Sequence, residues 1–197
     1  MLQPVTSLKT MPVRRMGTAA IISVVLWCCS AVGWAQTMAL NEMVLHNRAG
    51  EVNLRFGVDI LEEQGLEEVL HNGGIVELRC RASLLRKRGL IWDKELAEYE
   101  FVSQIDANAL TQDYIVRTEG SDKVYQGKGL PKILQEAWGM IDIGLGPWSR
   151  LERGREYRIV LNLGMERVDI PIWLKRSLFF WSWDVAPEAV YELEFTY

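Results

Sequence analysis

The amino-acid sequence predicts a mainly β fold, an antiparallel β-sandwich (immunoglobulin-like or related) with two or three short helices. Three patterns predict it. Apolar and polar residues alternate with period two in several separate stretches, as in strands buried on one face only. Short apolar stripes of helical period lie between them. Each half-apolar strand also needs a facing layer, which a second sheet supplies.

The clearest alternation is 51–60, where Val52, Leu54, Phe56, Val58 and Ile60 alternate with Glu51, Asn53, Arg55 and Asp59. A shorter strand at 43–46 precedes it, and Asn47-Arg48-Ala49-Gly50 has the residue types of a hairpin turn. A short helix is predicted at 65–70, ending at Asn72-Gly73-Gly74. Alternation returns at 76–84, with Val76, Leu78, Cys80, Ala82 and Leu84 on one face, so Cys80 is expected to point inward. Further strands are predicted at 95–105, with Tyr99 and Phe101 sharing a face, at 113–118 and at 123–125. Leu130, Ile133, Leu134, Ala137 and Trp138 form one helical stripe closed by Gly139. A strand at 155–163 follows, then a third candidate helix at 171–180. Tyr191, Leu193, Phe195 and Tyr197 mark a terminal strand.

The first 35 residues read as a secretion leader. Lys9, Arg14 and Arg15 are the only charged residues before Gln36, and they precede an apolar run followed by Ser30, Gly33 and Ala35. Cleavage after Ala35 is one expectation; an uncleaved anchor is the other, because 17–35 is long enough to span a bilayer. Cys28 and Cys29 raise lipoprotein processing, but Trp27 stands where a small residue normally precedes a lipidated cysteine. In each case residues 36–197 form one β-rich domain on the outer side of the inner membrane, periplasmic and either soluble or tethered by the N-terminal segment. Removing Lys9, Arg14 and Arg15 leaves 19 basic against 26 acidic residues, a net charge of −7. An exported, acidic surface argues against a nucleic-acid partner. Cys80 is the only cysteine outside the leader, so no internal disulfide is expected.

The order of these features resembles the exported bacterial family known as domain of unknown function 4390. The resembling stretches are the opening strand pair, Gly65-Leu66-Glu67-Glu68-Val69-Leu70, the strand from Glu77 to Arg88 and Leu110-Thr111-Gln112-Asp113-Tyr114-Ile115-Val116. The Tyr157 strand and Ile170-Pro171 leading to Ser182-Trp183-Asp184 complete the set. The resemblance implies an extracytoplasmic β-rich domain of Gram-negative bacteria, with some members encoded near envelope-facing sensor kinases. It implies no reaction and no catalytic residues.

No catalytic residue, metal ligand or cofactor site emerges from the motifs. His46 and His71 are the only histidines, and neither stands in a recognisable Ser-His-Asp or Cys-His pattern. Two histidines and one cysteine offer no zinc spacing, and Glu62, Glu63, Glu67 and Glu68 read as a solvated helix face. Gly127-Lys128-Gly129 lacks the rest of a phosphate-binding loop.

Two clusters remain as binding candidates. One is aromatic: Trp173, Phe179, Phe180, Trp181 and Trp183, which either plug one end of the sandwich or line an apolar site. The other is a basic patch, Arg79, Arg81, Arg86, Lys87 and Arg88, which either docks an acidic group or charges an edge strand against unwanted pairing. The expectation is a non-enzymatic interaction module of the cell envelope, accessory to signalling or assembly, with an envelope protein or an apolar or lipid ligand as partner. The alternatives are a lipid-contacting component or small outer-membrane barrel, for which the aromatic last strand speaks, and an enzyme of unrecognised type.

Overall fold

The alternation at 51–60 is a strand over its whole length, and it shows how the chain builds its core. The computed structural model describes residues 38–89, 92–169 and 184–197, all within one compact unit, Gln36–Tyr197. The leader reading and the third candidate helix fall outside the described residues.

Nine strands and two helices follow in chain order among the described residues: β1 (Met38–Arg48), β2 (Glu51–Ile60), α1 (Glu63–His71), β3 (Val76–Arg86), β4 (Lys94–Ala107), β5 (Tyr114–Thr118), β6 (Val124–Gly127), α2 (Leu130–Trp138), β7 (Ile141–Pro147), β8 (Glu156–Arg167) and β9 (Asp184–Thr196). They form two antiparallel sheets, β1-β2-β7 and β6-β5-β4-β3-β8-β9, so the chain is a β-sandwich.

The core lies between the sheets. Val52, Leu54, Phe56 and Val58 of β2 and Ile141, Ile143 and Leu145 of β7 meet the β3 face of Val76, Leu78, Cys80, Ala82 and Leu84 and the β8 face of Tyr157, Ile159, Leu161 and Leu163. Cys80 points inward as expected and is fully buried. Three strands at about 4.8 Å spacing are too narrow to cover six. The remainder of the six-stranded sheet is covered by α2, whose stripe of Leu130, Ile133, Leu134, Ala137 and Trp138 is buried and which packs against β2, β5 and β6. Close approach of α2 to the narrow sheet needs a glycine: a Cβ on Gly57 would lie 2.5 Å from the Gly139 carbonyl oxygen.

β1 and β2 are joined by Ala49 and Gly50, at φ 54° and 84°, the left-handed geometry that tight two-residue hairpin turns require. The Asn47 side chain closes the turn by accepting from the Gly50 N–H at 3.0 Å. Alanine is the misfit here, since a Cβ disfavours positive φ. Ala49→Asn is expected to raise stability by about 0.5–1 kcal/mol, read as a higher urea midpoint at unchanged slope.

This turn, the Trp148–Arg150 turn, the β3–β4 hairpin and Tyr197 occupy one end of the sandwich. The Trp148 N–H donates to Gly50, its ring meets Tyr197 edge-on at 5.5 Å, and the Lys87 N–H donates to Glu156. Both helices and the β4–β5 turn lie at the other end. Apolar strand faces turn toward each other and the outer face of the wide sheet is charged, the reverse of a membrane barrel's arrangement.

Candidate functional site

β3 is an interior strand, between β4 and β8. The reading of its basic residues as a charged edge is therefore corrected: both neighbours are already paired, and the charges serve another purpose. Period two sends Glu77, Arg79 and Arg81 to the outer face, where the register sets Arg79 beside Val102 and Gly164, and Arg81 beside Glu100 and Asn162.

Arg79 sits at the centre of an ionic ladder. Its Nη2 donates to Glu77 Oε1 at 2.5 Å, its Nη1 lies 3.6 Å from Glu100, and Glu166 is 3.8 Å away. Arg81 bridges Glu98 at 3.2 Å and Glu100 at 3.4 Å. Glu77 is 5% exposed, and its second oxygen accepts from Gln104 at 2.9 Å. The hydrogen bond that Arg79 donates to Glu77 raises the Arg79 pKa above its ordinary value, outweighing the lowering by burial.

Two depressions meet at Arg79. One of about 520 Å³ is lined by Arg79, Arg81, Asn162, Gly164, Glu166 and Glu188. Gly164, opposite Arg79 in the β3–β8 register, lines this hollow without a side chain, and a Cβ there would make ordinary contact with Glu188 at 3.4 Å. The other, about 460 Å³, is lined by Arg79 with Glu100, Val102, Gln104, Arg117 and Glu119 among its walls. Both signs of charge face each hollow. The arginines are engaged by carboxylates, so the surface suits a partner segment with mixed charge better than a free anion.

The five predicted basic residues do not form one patch. Arg79 and Arg81 belong to this face, whereas Arg86, Lys87 and Arg88 lie at the strand's far end. There Arg86 pairs with Glu152, Lys87 with Glu194 at 3.0 Å and Glu156 at 3.4 Å, and the Arg88 N–H donates to Asp93 at 3.2 Å. Trp173, Phe179, Phe180, Trp181 and Trp183 lie outside the described residues.

The histidines have separate settings. His46 Nε2 is 3.5 Å from Asp142, which also faces Arg55 at 3.3 Å on the narrow sheet. His71 Nε2 is 3.2 Å from the Tyr114 hydroxyl, which donates to Glu67 at 2.7 Å. Burial, with that hydrogen bond adding to it, pushes the Tyr114 pKa up to about 12. Burial likewise pushes the Cys80 thiol well up, away from the reactive thiolate.

The Tyr114 shift sets a pH dependence. A phenol whose folded pKa exceeds its unfolded value near 10 stabilises the fold fully below that value and loses its contribution as pH rises toward about 12. Wild type should lose more of its urea midpoint between these limits than Tyr114→Phe, which at neutral pH costs about 1 kcal/mol.

Among the described residues no group of three or more His, Cys, Asp or Glu side chains is placed to hold a metal ion, and no helix is long and apolar enough to cross a membrane. Sequence reasoning missed Asn162, Gly164, Glu166 and Glu188 as neighbours of Arg79 around the larger hollow, and it missed Trp92, which is 94% exposed two positions before β4. The signal for Trp92 was present: Leu90-Ile91-Trp92 interrupts a run of charges between Arg88 and Lys94.

Fold and surface together define a two-sheet β-sandwich with a mixed-charge outer sheet face. No curated protein and no solved structure matches the chain. Residues 35–194 match the family described as Domain of unknown function (DUF4390), and the chain belongs to that family.

Proposed function

We propose that this chain is a non-enzymatic periplasmic interaction module of the cell envelope, accessory to envelope signalling or assembly, which holds an envelope protein against the outer face of its six-stranded sheet. The observation that carries this reading is the convergence of two open hollows on Arg79, whose guanidinium is held in place by Glu77, Glu100 and Glu166. A rigid ladder with both signs of charge selects partners by register and repels those with the wrong pattern. The leader-like residues 1–35 support an envelope setting.

A photo-crosslinking residue at Asn162, in the larger hollow, tests the reading in intact envelopes of the native host, with a second at Val44, half-exposed on the narrow sheet, as reference. A discrete adduct from position 162 that is absent from position 44 and lost on Arg81→Glu is expected. Adducts alike from both positions, or none from position 162, overturn it.

A further inference from the structure

The charges on the outer face of the wide sheet are far from balanced. Outward parity places Glu77, Glu98, Glu100, Asp106 and Glu166 on it, with Glu156, Glu188, Glu192 and Glu194 along its β8–β9 side and Glu119 beside the smaller hollow. Its cations are Arg79, Arg81, Arg117 and Arg158, with Lys87 reaching in to Glu156 and Glu194. Lys94 and Glu95, adjacent at the start of β4, offset each other. Ten carboxylates thus stand against five cations, so −5 of the −7 net charge of residues 36–197 lies on this one face. The cations of 36–197 outside the described residues are Lys175 and Arg176, too few to cancel that excess. Both hollows are lined wholly by described residues.

We propose, resting on the reading of this face as a docking surface, that its occupant is a cationic extended segment of the partner protein, in which Lys and Arg outnumber Asp and Glu. Glu98 and Glu100 of β4 and Glu188, Glu192 and Glu194 of β9 form two acidic rows, one on each side of a centre made by Arg79, Arg81, Asn162 and Gly164. The rows are three strand spacings apart, about 14 Å. Side chains four residues apart on one side of an extended segment span about 13 Å, so a segment crossing the strands sets a cation over each row. Arg81 keeps Glu98 and Glu100 at their spacing, and Val190, 58% exposed between Glu188 and Glu192, adds apolar contact. The four long strands, of 11 to 14 residues, present a surface of about 20 Å by 35 Å, close to the roughly 800 Å² per side of a stable protein interface. Other occupants fit less well. A second copy docking by this face and an anionic bilayer both meet like charge and are repelled. Among the described residues no three carboxylates are placed to hold a metal ion.

The test reads the occupant's composition directly. p-Benzoylphenylalanine replaces Asn162 in the full chain, intact envelopes of the native host are irradiated, and mass spectrometry of the digested adduct identifies the captured peptide. Over that peptide and its flanks in the parent sequence, Lys and Arg should outnumber Asp and Glu. Glu188→Lys with Glu192→Lys, both exposed, should cut the adduct yield about ten-fold through the loss of two exposed ion pairs. Glu68→Lys with Glu136→Lys, exposed on α1 and α2, changes the net charge equally and should leave the yield unchanged. A captured peptide without a basic excess, a yield indifferent to the β9 reversal, or equal losses from both reversals overturns the cationic segment, while the adduct itself keeps the docking surface. Absence of any adduct removes that surface and the cationic segment with it.

Discussion

Trp138→Ala is expected to lower the unfolding free energy by about 3–5 kcal/mol, a large part of the 5–15 kcal/mol typical of a domain. Trp138 ends α2, is fully buried, and fills the space between the helix and the wide sheet that the three-stranded sheet does not reach. Its indole N–H donates to Ser103 Oγ at 2.9 Å. That hydroxyl, itself buried in β4, also accepts from Thr118 at 3.2 Å and donates to the Arg117 carbonyl at 3.3 Å. One donor and two acceptor sites are thus all used. Truncation removes the ring's contacts, opens a cavity and leaves the hydroxyl short of one partner inside the core. Trp138→Phe should cost less, about 1–2 kcal/mol, because only the hydrogen bond and part of the volume are lost. Urea unfolding followed by far-UV circular dichroism checks both; a Trp138→Ala loss under about 1 kcal/mol would show that α2 does not close the core.

This helix was legible in the sequence because its stripe is continuous and its buried residues are its own. Strand β7 was not. Ile141, Ile143 and Leu145 do alternate, but Gly144 and Gly146 occupy two of the intervening positions and Asp142 a third, so the stretch has little strand propensity of its own. It is held by pairing with β2, a partner more than eighty residues away. β1 was read short for a different reason. A bulge at Glu42, φ 49°, shifts the register between Asn41 and Met43, so the inward parity of Leu40 does not continue into Met43 and Leu45. The candidate site was half legible. Arg79 and Arg81 stand out in the sequence, but Glu98, Glu100 and Glu166 reach them only through the β4-β3-β8 register. Five basic residues within ten positions therefore looked like one patch. Strand geometry divides them between a sheet face, where Arg79 and Arg81 are neutralised, and the strand's far end, where Arg86 and Lys87 pair with Glu152, Glu156 and Glu194.

The same register predicts a second large effect, at the ladder itself. Arg79→Met should cost about 2 kcal/mol, less than the 3–5 kcal/mol of a fully buried broken pair, because the Arg79 side chain is 45% exposed and partly screened. The loss arises at Glu77, which stays buried at 5% exposure and keeps its bond from Gln104 while losing its nearest cation. Glu77→Gln in the same chain should recover most of it, since a neutral amide no longer needs a counter-charge. The double-mutant cycle should give a coupling near 2 kcal/mol; additive single effects would show that Glu77 is stabilised by groups other than Arg79. The compensated pair then separates folding from recognition. It restores stability yet removes the charge at which the two hollows meet, so loss of the adduct from position 162 in this background assigns Arg79 to the partner rather than to the fold.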